Sequence, residues 1–212
     1  MDRTRPIQIV LCLFVLFLLQ TGCLHERRHP SDEGSCPAAA LRWLTTPNLK
    51  EKRLSRYDFL VRKYAGQIGM DWRLLSAIIF HESKYNERAL SPVGAKGLMQ
   101  VMDIAAVHYG MPDADLYDPE TNIRLGTILL EDLIEQFQRE GIAEEDVIRF
   151  AIASYNVGGG ALARRRAEAD SLGLNPNRWS DVATVFEREE HTTPAYIRAV
   201  EETYAKYLSR IK

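Results

Sequence analysis

The chain has 212 residues, of which 46% are hydrophobic and 26% charged, and its formal net charge is −2. This composition is ordinary for a globular protein and is enough for one domain with a real core. The lack of basic excess argues against nucleic acid as the main partner, because phosphate binding needs clustered Lys and Arg. Three cysteines predict no disulfide framework in the folded part, and no Cys/His cluster has metal-ligand spacing. We therefore expect neither a metal nor another cofactor.

The first residues have the pattern of an export signal. Arg3 and Arg5 precede an apolar run over residues 7–19, which is shorter than the roughly 20 residues of a transmembrane helix and has the length of a signal-peptide core. Residues 20–23 then resemble a bacterial lipobox, in which the cysteine is lipidated and becomes the mature N-terminus. We interpret residues 1–22 as a lipoprotein signal and Cys23 as the lipidation site. The alternatives are an ordinary secretory signal and an uncleaved anchor.

Residues 23–44 are predicted to be a tether between the lipid and the folded domain. The text that follows Cys23 is polar and is broken by Pro and Gly, which is typical of a linker. Leu24 is not the Asp that commonly retains lipoproteins in the inner membrane. We therefore expect a protein that is anchored to the outer membrane and faces the periplasm, with its folded domain in residues 45–212.

The folded part has helical periodicity in one segment after another and almost no strand alternation. Asp71, Asp103 and Asp118 are predicted N-caps, and Pro119 follows the last of them at the first helical position. The pattern predicts an all-α domain with at most a small β-hairpin near residues 93–101. In chain order, helices are predicted over residues 50–66, from the Asp71 cap through Glu82, from the Asp103 cap to residue 109, from residue 119 to the closing Gly141, and over residues 144–155, 161–172, 175–186 and 194–210.

One carboxyl group stands on an apolar helical stripe. Leu75, Ile78, Ile79 and Glu82 occupy positions i, i+3, i+4 and i+7, so they share a face. Burial beside such a stripe disfavours the charged form and raises the pKa of a glutamate, which is how a general acid is made from a carboxyl group. The alternative is that Glu82 ends the helix, turns into water or pairs with a nearby Lys or Arg. Spacing alone leaves both interpretations open.

Three further stretches carry polar residues beside glycine. In residues 91–100, Gly94 and Gly97 permit close backbone approach before Gln100, whose amide suits an amide or hydroxyl ligand. Residues 154–160 place polar side chains at the end of an apolar helix, just before a glycine run. Asn122 and Gly126 stand four apart on one helical face, which predicts a close structural contact. Taken singly, the first two stretches also fit a plain turn and a helix C-cap.

Together these stretches resemble a known family. Glu82-Ser83, the SxxGAxGLMQ pattern of residues 91–100, the NIxxG pattern of residues 122–126, and Tyr155-Asn156 followed by a glycine occur in the order and spacing of the SLT-type lytic murein transglycosylases. These enzymes belong to the lysozyme-like superfamily. The match covers about residues 60–160 and implies a lysozyme-like fold. Residues 175–182 and the start of the last helix are most similar to the membrane-bound F-type branch, whose amino-terminal solute-binding-like domain we expect to be lacking.

The resemblance implies a role for each matching residue. Glu82 would be the single catalytic acid and base. A substrate-binding set would surround it: Ser83, Met99, Gln100, Tyr155 and Asn156. Within that set, Tyr155 would orient the glutamate, Asn156 would bind sugar and Ser83 would support the cleft. The chain departs from the family's usual residues at six positions, of which the last two concern the far wall of the cleft: Asp103, Ala105, Leu129, Ser154, Thr192 and Pro194.

The implied reaction cleaves the MurNAc-β-1,4-GlcNAc bond of peptidoglycan glycan strands without water and forms 1,6-anhydro-MurNAc. One carboxyl group with a pKa near neutrality suffices for it, whereas ordinary glycosidases need two. Asp103 and Asp118 are the candidates for a second carboxylate. If either faced the cleft, a lysozyme-like hydrolase would be the alternative. A non-catalytic peptidoglycan-binding protein is the second alternative.

Overall fold

The computed structural model describes residues 53–211. The predicted signal peptide, the lipidation site Cys23 and the tether of residues 23–44 lie outside this range. Within it the chain forms eight α-helices and no β-strand, which confirms the all-α prediction. The helices are α1 (Asp58–Gln67), α2 (Trp72–Ser83), α3 (Asp103–His108), α4 (Pro119–Arg139), α5 (Glu144–Val157), α6 (Gly159–Ser171), α7 (Trp179–Arg188) and α8 (Thr193–Arg210).

Two of the three predicted aspartate caps are confirmed. The Asp71 carboxylate accepts the backbone N–H of Arg73 at 2.8 Å, and the Asp118 carboxylate accepts that of Thr121 at 2.8 Å. These bonds satisfy N–H groups that have no partner inside the helix. The prediction for Asp103 was wrong. Met102 is the N-cap of α3 and Asp103 lies in its first turn, where its carboxylate forms an ion pair with Lys96 at 2.7 Å.

The helix predicted for residues 175–186 begins later, at Trp179. Asn175 turns back instead, because its side chain accepts the N–H of Asn177 at 2.9 Å. The first N–H of α7, that of Trp179, donates to the Asp146 carboxylate on α5 at 2.9 Å. A contact between residues this far apart along the chain sets the start of α7, so local sequence signals could not reveal it.

The core forms around α2. Leu75, Ile78 and Ile79 are at most 1% exposed, and each contributes about 1.5–3 kcal/mol by burial. Helix α2 packs against α1 and, most extensively, α8, while α4 packs against α5. The apolar stripe predicted from the sequence therefore fixes α2 in place and presents its last turn at a defined position.

A cluster of aromatic rings joins α4, α5 and α7. Phe137 lies 5.5 Å from Phe150, Phe150 lies 5.6 Å from Trp179, and Trp179 lies 6.1 Å from Phe186, measured between ring centroids. The pair of Phe150 and Trp179 is T-shaped, a geometry that favours attraction between ring edge and ring face. The cluster therefore packs these three helices together.

The expected hairpin near residues 93–101 is reduced to two isolated bridges, Leu90 with Lys96 and Lys96 with Val101. Asn122 on α4 holds this turn. Its amide nitrogen donates to the carbonyls of Lys96 and Leu116, each at 2.8 Å, and its oxygen accepts the N–H of Met99 at 2.7 Å. A Cβ atom at Gly97 would lie 2.4 Å from the Leu116 carbonyl oxygen, so a larger residue does not fit there without a shift.

Gly126 completes the contact between α4 and the turn. A Cβ atom on it would lie 2.6 Å from the Met99 sulfur, so the absence of a side chain admits Met99 against the helix. The close contact predicted for Asn122 and Gly126 is thereby confirmed. Over residues 53–211, none of the helices combines the length and apolar character needed to cross a bilayer.

Candidate active site

Glu82 lies in the last turn of α2 and is partly exposed. The helix ends directly after it because Lys84 adopts a left-handed conformation with φ of +53°, and Tyr85 follows at +62°. Two successive non-glycine residues with positive φ are uncommon and need support from their surroundings. Tyr85 receives that support, since its hydroxyl donates to the Ser76 carbonyl at 3.1 Å and contacts the Tyr207 hydroxyl.

The Glu82 carboxyl group is poised between its two protonation states at neutral pH. Burial raises its pKa to about 7, while a hydrogen bond from Tyr196 and the nearby charge of Lys84 act in the opposite direction. The Tyr196 hydroxyl donates to Glu82 Oε1 at 2.5 Å. Among residues 53–211, no Lys or Arg forms an ion pair with this carboxylate. The raised pKa expected from the apolar stripe is therefore present.

The tyrosine that holds Glu82 is Tyr196 and not Tyr155. We expected Tyr155 to orient the glutamate, but its hydroxyl donates to the Met99 carbonyl at 2.7 Å. Tyr155 remains close, because the charge of Glu82 adds to the effect of burial in raising the pKa of its phenol. Tyr196 lies on α8, the last helix. Nothing in the spacing could show that it meets a residue 114 positions earlier in the chain.

Gln100 is partly exposed on the turn that α4 holds. Its backbone has a φ of +51°, and its side-chain nitrogen donates to the Gly97 carbonyl at 3.0 Å. Met99, in contrast, is 0% exposed. Direct contact between its side chain and a substrate was therefore the wrong expectation: Met99 packs on Gly126, and its backbone links Asn122 to Tyr155.

The remaining two predicted residues, Ser83 and Asn156, directly follow Glu82 and Tyr155 in the chain. Ser83 is buried, and its hydroxyl donates to the Ile79 carbonyl at 3.2 Å. Asn156 is partly exposed, and its side-chain oxygen accepts a hydrogen bond from the Thr193 hydroxyl at 2.9 Å. The fold thus connects the ends of α2 and α5, the start of α8 and the turn that carries Gln100.

Neither candidate for a second carboxylate is bonded to Glu82. The Asp103 side chain is 69% exposed and is paired with Lys96, and Asp118 caps α4 through Thr121. In the described part of the chain, no three His, Cys, Asp or Glu side chains are grouped so that they could hold a metal ion.

We expect Tyr196→Phe to raise the pKa of Glu82 further, because the lost hydroxyl stabilises the carboxylate form. Tyr155→Phe is the matched control, since it removes a phenol hydroxyl of the same cluster but leaves the hydrogen bond from Tyr196 to Glu82 intact. A ¹³C NMR titration of the Glu82 carboxyl carbon measures both. If the pKa of Glu82 shifted in Tyr155→Phe and did not shift in Tyr196→Phe, Tyr155 and not Tyr196 would be the residue that orients Glu82.

The raised pKa also predicts how stability depends on pH. Between the ordinary pKa of 4.5 and the folded value of about 7, the folded protein keeps a proton that the unfolded chain releases, so stability falls as pH rises through this window. Glu82→Gln carries no such titration. Its advantage in unfolding free energy should grow across the window to no more than about 3 kcal/mol. Urea unfolding from about pH 4 to pH 8 tests this, and parallel pH profiles of the two proteins would refute it.

The chain matches a known protein family. Residues 59–176 match the family described as transglycosylase SLT domain. The chain therefore belongs to the SLT-domain transglycosylase family.

Its curated relatives include membrane-bound lytic murein transglycosylase F of Marinobacter nauticus, which is 41% identical over 132 residues, or 62% of this chain and 26% of the relative. The protein of the same name from Desulfosudis oleivorans is 34% identical over 164 residues, or 75% and 35%. These names confirm the resemblance to the F-type branch. The matched part spans only about a quarter to a third of such relatives.

A solved structure, that of an inactive mutant of lytic transglycosylase Slt from Pseudomonas aeruginosa, is also similar. It is 21% identical with a TM-score of 0.49, and the match covers 82% of this chain and 28% of that one.

Proposed function

We propose that residues 45–212 form a lytic transglycosylase domain that cleaves the MurNAc-β-1,4-GlcNAc bond of peptidoglycan. Membership in the SLT-domain family supports this class of reaction. The observation that carries the proposal is the partly exposed Glu82, whose pKa is raised to about 7 while Tyr196 holds its carboxylate. One group with this pKa can both give and take a proton near neutral pH.

In the proposed reaction Glu82 first acts as an acid. Its proton passes to the glycosidic oxygen as the bond to the MurNAc anomeric carbon breaks, and GlcNAc leaves as an alcohol. The carboxylate then removes the proton of the MurNAc 6-hydroxyl, whose oxygen attacks the anomeric carbon and closes the 1,6-anhydro ring. Glu82 ends protonated as it began, and no water is consumed. A second carboxylate, which hydrolytic glycosidases need to activate water or to attack, has no part in this sequence.

The surroundings of Glu82 suit both steps. Burial favours the protonated form that the first step uses. The hydroxyl of Tyr196 and the charge of Lys84 favour the carboxylate that the second step uses. Neither form is stabilised so strongly that the proton cannot move at neutral pH.

The substrate contacts in this proposal come from partly exposed amides. Gln100 and Asn156 carry both donors and acceptors, and sugar hydroxyl and acetamido groups need both. Ser83, Met99 and Tyr155 act behind this surface: the hydroxyls of Ser83 and Tyr155 are engaged with backbone carbonyls, and Met99 has no exposed side chain.

Digestion of purified peptidoglycan followed by mass spectrometry of the products tests the function. Muropeptides that end in 1,6-anhydro-MurNAc are expected. Reducing ends in their place would indicate a lysozyme-like hydrolase. Intact sacculi that nonetheless retain the protein would leave only the non-catalytic peptidoglycan binder.

The proposal includes a lipid anchor at Cys23 that keeps the domain at the outer membrane, facing the periplasm. The lipobox-like residues 20–23 support the anchor, and the relatives' names describe membrane-bound proteins. Cys23→Ala should move the protein from the membrane fraction to the soluble fraction when cells are fractionated. Leu24→Ser keeps the cysteine and serves as the control. Unchanged partition of Cys23→Ala would rule out lipidation at this residue.

A further inference from the structure

The amide of Asn156 is held by Thr193, the first residue of α8, and Thr193 is in turn contacted by His191, two residues earlier in the chain. The Thr193 hydroxyl donates to Asn156 Oδ1 at 2.9 Å, and it also lies 3.0 Å from Nδ1 of His191. The same ring nitrogen lies 3.3 Å from the backbone nitrogen of Thr193. Thr193 is fully buried, whereas Asn156 and His191 are partly exposed, so water has no direct access to the Thr193 hydroxyl between them.

Counting protons shows that these three contacts cannot all be hydrogen bonds at once. A hydroxyl has one proton to donate, and a ring nitrogen either donates or accepts. If Nδ1 of His191 carries a proton, it donates to the Thr193 hydroxyl, whose own proton goes to Asn156 Oδ1. If Nδ1 is bare, it accepts the backbone N–H of Thr193 and competes with Asn156 for the hydroxyl proton.

The arrangement with a bare Nδ1 also stabilises the start of α8. Thr192, the N-cap of α8, provides no side-chain cap, and the first N–H groups of a helix have no partner inside it. Bare Nδ1 of His191 can accept the N–H of Thr193 and so act as the missing cap. His191 therefore either caps α8 or helps the Thr193 hydroxyl hold Asn156, and its ring proton decides between them.

A neutral ring with its proton on Nε2 gains a proton on Nδ1 when it becomes doubly protonated, and the surroundings of His191 set the pH at which this happens. The ring packs on Phe186 of α7 at 5.2 Å between centroids. Burial and the charge of Arg165 on α6 lower the pKa of His191, while Glu189 acts in the opposite direction. Arg165 is itself paired with Glu189 and with Glu168. The doubly protonated ring should therefore form only on the acidic side of the usual histidine range.

We propose that His191 and Thr193 are positioning residues that set which end of the Asn156 amide faces the cleft. With the Thr193 hydroxyl on Oδ1, the Nδ2 donor is presented to the ligand, where it suits the carbonyl of an acetamido group. With the amide reversed, Nδ2 donates to Thr193 and Oδ1 is presented as an acceptor. The identity of the ligand as an N-acetylated glycan rests on the proposed function, whereas the coupling between the three residues does not.

The coupling is tested by NMR without any substrate. The ring nitrogens of His191 report its protonation and tautomer, and the side-chain NH₂ group of Asn156 reports its hydrogen bonds. In the unmodified protein both sets of signals should titrate together. Thr193→Val removes the hydroxyl at nearly constant volume, and Asn156 should then no longer follow His191. Thr193→Ser restores the hydroxyl and should restore the coupling. Independent titration in the unmodified protein would overturn the proposal.

The consequence for recognition is tested with peptidoglycan glycan strands. Thr193→Val should raise KM about five- to tenfold, the effect of one lost hydrogen bond, with little change in kcat. In the unmodified protein KM should change on the acidic side, as Nδ1 of His191 gains its proton. His191→Asn keeps a donor and acceptor near the position of Nδ1 but does not titrate, so this change in KM should disappear. In a double-mutant cycle with Asn156→Ala, the effect of Thr193→Val should vanish. Additive effects would contradict the coupling between Thr193 and Asn156.

The two proposals fail in distinguishable ways. Coupled NMR titrations in a protein that releases no anhydro-muropeptides would support the coupling between His191, Thr193 and Asn156 and refute the lytic transglycosylase function. Release of anhydro-muropeptides together with independent NMR titrations of His191 and Asn156 would refute only the coupling between these residues.

Discussion

Glu82→Gln should reduce the release of muropeptides by at least about a thousandfold, because a positioned acid and base each contribute roughly 10²–10⁴-fold. The amide has almost the same shape as the carboxyl group but cannot carry the proton in either step. It can still accept the hydrogen bond from Tyr196, so the fold should be preserved. Rates measured from the appearance of soluble products, together with thermal unfolding of the same sample, check both parts.

Glu202→Gln is the matched control, because Glu202 is an exposed glutamate on α8 and the same chemical change there should leave turnover unaltered. Retained activity in Glu82→Gln would remove Glu82 as the acid. Loss of activity with a large loss of stability would point to a structural role, which the raised pKa argues against: the amide relieves the cost of burying a charge.

Asn122→Ala should lower the free energy of unfolding by about 2–5 kcal/mol, since it leaves two buried backbone groups without their partner. Those groups are the carbonyl of Leu116 and the N–H of Met99, while the carbonyl of Lys96 loses one of its two donors and keeps the N–H of Val101 at 3.0 Å. Asn122 is 0% exposed, so water cannot easily take its place. Urea unfolding measures the loss. Because the turn carries Gln100, activity should fall as well, even at temperatures where the protein stays folded.

Asn86→Ala is the control for this change. Asn86 is exposed and accepts one hydrogen bond, from the backbone of Arg88 at 3.0 Å, and its loss should cost less than about 1 kcal/mol. Asn122→Asp offers a second test. It keeps the acceptor for Met99 but turns the two donors into a buried charge facing carbonyl oxygens, and it should destabilise at least as strongly as Asn122→Ala. A loss below about 1 kcal/mol in either Asn122 variant would show that the turn is held by something else.

Local signals predicted the elements of this fold wherever the stabilising contacts are themselves local. The stripe of Leu75, Ile78 and Ile79 and the caps at Asp71 and Asp118 depend on residues within one or two turns, and all were found as expected. Asp103 shows the limit. It has the residue type of a cap, but Lys96 lies across the turn and takes its carboxylate, a competition that helix-start rules do not include.

The candidate site could be predicted in part for the same reason. Glu82 is recognisable from its place on an apolar face, and Gln100 from the glycine-punctuated turn. Met99 looked equally well placed beside Gln100. Whether a side chain on such a turn points to solvent or into the domain is decided by its packing partner, and here Gly126 on a different helix provides the space that buries it.

By itself, the sequence determined the all-helical class, the place of Glu82 on an apolar helical stripe and the shared helical face of Asn122 and Gly126, because periodicity suffices for these. Only the tertiary structure decided that Tyr196 and not Tyr155 holds Glu82, and that His191 and Thr193 stand behind Asn156. The physical reason is distance along the chain: a hydrogen bond across 37 or 114 residues depends on how α8 packs against α2 and α5. That packing depends on many weak contacts between distant residues, so no local sequence pattern predicts it.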